Sequence, residues 1–312
     1  MINITSTHPI IPPVTTSRTM FNAYKQTLVQ QTYEVLPAAE FTMEELTYAY
    51  NQTRVDYIVP MPMTTARLQA YSDAYDIDLS ASVVIVDRLN REMLGLGMLG
   101  IRNRRSWITR LGVLPPARGR KIGRVIMDEL IAESERRGMT HIWLEVITGN
   151  KPAYSLFKKL GFRETRDLMV SRRAPAPVDP ATLDAAVDSK ALDGDQILCL
   201  LGKRPVRPNW LNETETFANN ANLTGVLYSF ANGGQGWVVY EDTPLQLKQV
   251  TVGVLHGDEP TVTAAVLRQL HADQPHKDAV FENISDTDPR WQGYQTAGYF
   301  DSFQRIEMVK KL

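Results

Sequence analysis

The sequence predicts an α/β protein of two domains, each a twisted mixed sheet flanked by helices. Three observations lead there. Short β-branched apolar runs alternate with helical stripes of apolar residues along much of the chain. The 312-residue length suggests about two hydrophobic cores. A spaced pattern also occurs twice: Glu145, Pro152, Phe157, Gly161 and Phe162 recur in register as Glu282, Pro289, Tyr294, Gly298 and Tyr299.

Taken in order, residues 1–32 form a Pro/Thr/Ser-rich extension with a helical stretch at Phe21–Gln31. Tyr33–Pro37 suits an edge strand. Thr42 followed by Glu45 is a capping box, so a helix starts there and runs to about Thr53. A second helix is expected over Met63–Tyr75. Ala81–Val86 and Glu92–Ile101 read as strands joined by the turn Arg88–Arg91. Trp107–Leu114 is a strand, and Ile122, Val125, Ile126, Leu130 and Ile131 make the apolar face of a helix that ends at Arg137 before Gly138. His141–Ile147 is an apolar strand interrupted only by Glu145. A helix over Ala153–Leu160, a strand over Phe162–Val170 and a Pro-rich linker follow. Beyond Pro180 the pattern gives a helix at Ala181–Val187 and a strand near Ile197–Leu201. It then gives strands at Gly236–Tyr240 and Gln246–Leu255, a helix at Thr261–His271, and strands at Ala279–Ile284 and Gln304–Val309.

Net charge is −1, which argues against a protein that coats nucleic acid. The single Cys199, in Q-I-L-C-L-L, excludes an intramolecular disulfide and a multi-cysteine zinc site, and is expected to be a small buried hydrophobe. The five histidines show no ligand spacing, so no metal is expected. No signal peptide or membrane-length apolar run is evident, and a soluble cytoplasmic protein is the expectation, with oligomerisation left open.

The chemistry concentrates between Ile101 and Arg124, which holds eight Arg or Lys and no acidic residue. There a strand passes through a Pro-interrupted, glycine-containing basic turn into a helix start. Unpaired first-turn N–H groups and the positive end of the helix dipole make this a place for a phosphate. A Rossmann fingerprint and a P-loop are both excluded: no G-x-G-x-x-G with a following acidic residue and no G-K-[ST] is present.

Three stretches in fixed order, V-x-P-x-x-R-G-R-K-I-G from Val113, L-E-V from Leu144, and N-x-x-A-x-x-L-F-x-x-x-G-F from Asn150, give a resemblance to the GNAT superfamily of N-acetyltransferases. The resemblance covers about residues 33–172. It implies acetyl-CoA as cosubstrate, with main-chain groups of Leu111, Gly112 and Val113 along the pantetheine arm. Arg118, Gly119, Arg120, Lys121, Ile122, Gly123 and Arg124 would surround the pyrophosphate, with Asn150 and Phe157 near the arm. Lys121 stands where the family has glycine; it gives up the easy positive φ and adds charge toward the phosphates. The resemblance further implies Glu145 as general base, since an acceptor amine must lose a proton before attack. Phe157 replaces the usual proton-donating Tyr, and Tyr154, on nearly the same helix face, is the substitute candidate for the acid. Thiols are acidic enough to leave unaided as well.

The repeat extends the resemblance to tandem-GNAT proteins: an extension at 1–32, a catalytic domain at 33–172, a linker at 173–180 and a degenerate GNAT-like domain at 181–312. Gly112-Val113-Leu114 returns as Gly253-Val254-Leu255. The basic loop is replaced by His256-Gly257-Asp258-Glu259, and Asn150 by Thr287, so the second copy is expected not to bind CoA but to wall the acceptor site or form an interface. The expected function is acetyl transfer to a small-molecule or peptide amine by direct attack, no Cys or Ser standing out as a nucleophile. The alternatives are an enzyme using a longer acyl-CoA and a non-catalytic acyl-CoA-binding regulator. Nucleic-acid contact through Arg102–Arg110 is disfavoured by the neutral overall charge.

Overall fold

A computed structural model describes residues 32–312; the helix expected at 21–31 and the rest of the extension before residue 32 lie outside them. The first half runs β1 (Tyr33–Pro37), α1 (Met43–Gln52), α2 (Thr65–Ala74), β2 (Val83–Asp87), β3 (Met93–Arg102), β4 (Arg105–Val113), α3 (Ile122–Arg136), β5 (His141–Ile147), α4 (Lys151–Lys159) and β6 (Arg163–Arg173). The second half runs β7 (Ala186–Leu192), α5 (Gly194–Gly202), α6 (Thr214–Ala218), β8 (Leu223–Phe230), β9 (Gln235–Asp242), β10 (Gln246–His256), α7 (Glu259–Asp273), β11 (Asp278–Ser285), α8 (Arg290–Thr296) and β12 (Phe300–Lys311). The Thr42–Glu45 capping box forms as expected.

All these strands join one sheet in the order β1-β2-β3-β4-β5-β12-β6-β11-β10-β9-β8-β7. Exchanging β1–β6 for β7–β12 turns this order into its own reverse, so the two halves are related by a pseudo-two-fold through the middle of the sheet. At that centre the halves trade strands. β12 lies between β5 and β6, pairing Arg305 with Ile147 through to Lys311 with His141. In return β6 lies between β12 and β11. Each half thus completes the other's sheet, and the domains share backbone hydrogen bonds as well as a surface.

The repeat is legible in the elements. Both α3 and α7 have 15 residues. Gly112 corresponds to Gly253, a shift of 141, while Glu145 corresponds to Glu282, a shift of 137. The strand-to-helix connection is therefore four residues shorter in the second half, and the missing residues are those of the basic loop.

Three expectations beyond Pro180 are corrected. Residues 181–187 are not a helix: a short 3-10 turn at Pro180–Thr182 precedes β7, which pairs with β8 at the sheet edge. The apolar run near Ile197–Leu201 is not a strand but α5, because Asp193 and Gln196 form a capping box and Ile197 and Leu201 share one buried face. Cys199 consequently points outward and is exposed. β8 and α6 carry no strong pattern and were not expected. The strand expected to end at Val170 continues to Arg173, whose Nε donates to the Ala297 carbonyl at 3.0 Å.

Separate apolar clusters fill the two halves. One sits under α3 and is built from residues such as Ile126, Leu130, Leu144 and Phe162; the other lies under α7 and contains Val252, Val266, Phe281 and Tyr294. A further aromatic cluster joins the halves: Trp210 stacks on Trp107 at 5.8 Å between ring centres, beside Tyr71 and Tyr75.

Candidate active site

The site begins where two strands part. β4 and β5 are parallel neighbours only from Arg105↔His141 to Ile108↔Leu144. Glu145 is the next residue on β5 after that pairing stops. Leu114 N–H bonds to Leu94 O on β3, so with the two-residue alternation of a strand the polar groups of Val113 face the opened side, while Leu111, in the irregular stretch between Thr109 and Gly112, has its carbonyl held by Arg54 Nη2 at 3.0 Å. A bulge at Arg110, with φ of 51°, helps turn the strand away. Gly112 is needed for close approach on the α1 side: a Cβ there would lie 2.3 Å from Thr53 Oγ1.

At the end of the opening stands the basic loop. Gly119 has φ of 77°, and a Cβ on it would meet nothing within 4 Å, so the loop is open there. Lys121 takes φ of 63° and caps α3 from the left-handed region, which corrects the expectation that lysine gives up that conformation. The strain costs about 1–2 kcal/mol. No side chain caps α3, and its first turn carries no acidic residue, so the amides of Ile122 and Gly123 remain available to an anion, while Arg124 N–H bonds the Lys121 carbonyl at 2.9 Å. Ile122 is buried and anchors the helix; Gly123 lets Val113 pack close. Arg118 forks onto Asp56 and also reaches the carbonyls of Thr53 and Val113. Arg124 pairs with Asp128, and Arg120 lies 4.0 Å from Asp87. These features fit a pyrophosphate.

Glu145 is buried, with 8% of its side chain exposed. Its Oε1 accepts from Asn209 Nδ2 at 2.8 Å, its Oε2 from Asn283 Nδ2 at 3.1 Å, and Arg305 Nη1 lies 3.6 Å away. Burial raises its pKa above the ordinary carboxylate value, while Arg305 and the Asn209 amide pull the other way. Around it Tyr71 bonds Thr109 at 2.7 Å, and Arg110 lies over the Tyr71 ring at 4.0 Å and donates to the Tyr50 hydroxyl. Burial pushes Tyr71 up to about 12, so it is neutral at physiological pH.

The other expected residues are arranged less simply. Asn150 caps α4, its Oδ1 accepting from Ala153 N–H at 3.3 Å while its Nδ2 points to the Tyr57 hydroxyl. Phe157 is buried in the core beside Phe162. The Tyr154 hydroxyl donates to the exposed Glu164, and that bond raises its pKa. A hydroxyl bound to a surface carboxylate and made less acidic is poorly suited to protonate a leaving group. Asn209, Asn283 and Arg305 were not singled out in the sequence. They come from a loop, a bulge and a strand on the far side of the chain, and only the repeat offered a pointer, through the neighbouring Glu282.

The equivalent region of the second half is closed. Asp258 caps α7, accepting from Thr261 N–H at 3.1 Å and from its hydroxyl at 2.6 Å, with Glu259 in the first turn. Tyr294, the counterpart of Phe157, places its hydroxyl between Val250 O and Val252 N–H. The basic residues of β3 and β4 are also spent internally. Arg102 and Arg105 both bind the buried Glu213, and Arg102 also binds Asp76. Among the described residues, no helix is long and apolar enough to cross a membrane, and no group of His, Cys, Asp or Glu is arranged to hold a metal ion.

Residues 46–162 match the Acetyltransferase (GNAT) family. The chain is 40% identical over 60 residues to a streptothricin acetyltransferase of Streptomyces lavendulae, covering 19% of this chain and 32% of that protein. It thus spans about a third of the curated relative it matches. Two solved structures resemble nearly the whole chain in fold. A GCN5-related N-acetyltransferase from Sphaerobacter thermophilus has a TM-score of 0.68 at 14% identity, covering 89% of this chain and 95% of the other. A tandem GNAT protein from the clavulanic acid biosynthesis pathway has a TM-score of 0.59 at 14% identity, covering 89% and 98%. Residues 46–162 are therefore a domain of the GNAT acetyltransferase family, and the chain as a whole has two GNAT-like folds in tandem.

Proposed function

We propose that the protein is an N-acetyltransferase that moves acetyl from acetyl-CoA to a primary amine, using only the first domain's cofactor site. One observation carries the reading. Glu145, a buried carboxylate with a raised pKa, is the first residue past the parting of β4 and β5, on the opening that ends at the uncapped start of α3. When bound, acetyl-CoA supplies an acetyl group activated as a thioester, with the thiol as leaving group. The amides and basic side chains from Arg118 to Arg124 hold its pyrophosphate, and Leu111 and Val113 offer main-chain groups to the arm, with Asn150 and Phe157 beside it. Glu145 takes the proton that the acceptor ammonium must lose. A main-chain N–H near Leu111–Val113 meets the developing oxyanion. With Phe157 buried and Tyr154 bound to Glu164, the thiolate leaves without a dedicated acid.

The second domain does not bind CoA in this reading. The Asp258 carboxylate occupies its helix start and the Tyr294 hydroxyl its strand groups. Small-molecule and peptide amines are the acceptor classes, the first in keeping with the streptothricin acetyltransferase relative.

The test is calorimetric titration of acetyl-CoA, followed by thiol release with a panel of amines. One site per chain and amine-dependent thiol release are expected. Two equal sites, each lost on mutating its own loop, would sink the single-site assignment. Tight binding with no release for any amine would favour an acyl-CoA-binding regulator, a reading that the loss of the usual Tyr at Phe157 supports.

A further inference from the structure

The carboxylate that serves as base belongs to the first domain, yet the groups bonded or ion-paired to it come from the second. Asn209 precedes the 3-10 turn at Trp210–Asn212, Asn283 lies in β11, and Arg305 in β12. Both amides are oriented by a second bond. Asn209 Oδ1 accepts from Asn212 Nδ2 at 2.9 Å, so its Nδ2 must face Glu145. Asn212 is fixed in turn by the Glu282 carbonyl at 2.6 Å. Asn283 Oδ1 accepts from Arg305 at 2.8 Å, which again leaves Nδ2 for Glu145. Asn283 also holds φ of 68° at a break in the β11–β6 register, a left-handed position that asparagine tolerates better than most residues.

Arg305 is the nearest cation, and its short contacts go elsewhere, to Glu282 and Asn283 at 2.8 Å each. A guanidinium bonded directly to Glu145 would hold its proton affinity far down. Two neutral amide donors keep the buried carboxylate ionised and oriented while leaving it basic. Each oxygen accepts one amide bond and retains a lone pair for a proton. The other charged or titratable groups facing Glu145 are Glu282 on β11, Glu307 on β12 and Tyr71 on α2. Glu307 is neutralised by Arg166 at 2.8 Å.

Resting on the reading of Glu145 as base, we infer that Asn209 and Asn283 are positioning residues for it, a neutral clamp by which the second domain sets the proton affinity of the first domain's site. The clamp gives a domain without its own cofactor loop a part in the reaction.

The test uses the full chain labelled with 13Cδ-glutamate, the Glu145 resonance being identified by its loss in Glu145→Gln. Asn209→Asp and Asn283→Asp keep shape and packing but replace a donor by a second carboxylate. Each is expected to move the Glu145 midpoint upward by about one unit or more, from the lost bond and the added like charge. Asn209→Ala, which adds no charge, is expected to move it upward by less. With an acceptor in hand, the acidic limb of kcat/KM moves to higher pH by the same amount. An unmoved midpoint in all three folded variants would overturn the clamp. The titration needs no turnover, so it stands apart from the test of function: a shifted midpoint with Glu145→Gln fully active would keep the clamp and remove Glu145 from catalysis.

Discussion

The Tyr294 hydroxyl donates to Val250 O at 3.0 Å and accepts from Val252 N–H at 3.1 Å, closing in the second half the strand opening that Phe157 leaves free in the first. One ring oxygen separates the two residues, and it occupies main-chain groups of the strand that matches β4. Tyr294→Phe leaves a buried N–H and carbonyl without that partner, and a loss of about 1–3 kcal/mol in urea unfolding is expected. CoA stoichiometry is expected to stay at the proposed one per chain, because Asp258 still occupies the start of α7.

Glu145→Gln is expected to lower kcat/KM by about 10²-fold or more while the Kd for acetyl-CoA is unchanged, as for loss of a general base. Wild-type kcat/KM is expected to rise with pH through a group titrating above the ordinary carboxylate range, because burial raises Glu145 and only its ionised form would accept the proton. That rising limb disappears in the variant.

Lys121→Gly removes the left-handed strain and one positive charge together. Thermal stability is expected to rise, by about 1 kcal/mol in unfolding free energy, while acetyl-CoA binds more weakly and with a shallower dependence on salt. A variant that loses stability would show that Lys121 makes contacts outweighing its backbone strain.

Glu213 is 3% exposed and receives Arg102, Arg105 and Arg207, gathering the first domain's basic strands onto the second domain. Glu213→Ala leaves these cations without their shared carboxylate, two of them at the buried seam. Chemical denaturation is expected to show a loss of about 3–5 kcal/mol, as when one partner of a buried pair is removed.

His271 is buried against the Tyr299 hydroxyl, and burial pushes its pKa down to about 3. Its folded pKa lies below its unfolded value, so between about pH 3 and 6.5 the unfolded chain binds the extra proton. Its contribution is therefore present above that window and lost as pH falls through it, with a slope of up to about 1.4 kcal/mol per pH unit. His271→Gln is expected to flatten the stability profile there; an unchanged slope would assign the acid sensitivity to other groups.

The sequence alone determined the first domain's order of elements, the Thr42–Glu45 cap, the basic loop feeding α3 and the lone carboxylate of β5, because local periodicity and turn chemistry control each of them. It also carried the repeat, down to the counterpart pair Phe157 and Tyr294. Asp193 and Gln196 held a helix signal too, hidden by an apolar run that suits either structure. Tertiary structure decided what depends on which strands meet. The exchange of β6 and β12 joins residues more than 100 apart in the chain, from 106 for Arg173 and Ala279 to 170 for His141 and Lys311, and no local pattern encodes that pairing. The environment of Glu145 was settled the same way: whether a carboxylate is solvated or buried depends on its neighbours, and Asn209, Asn283 and Arg305 reach it only because the second half closes over the first.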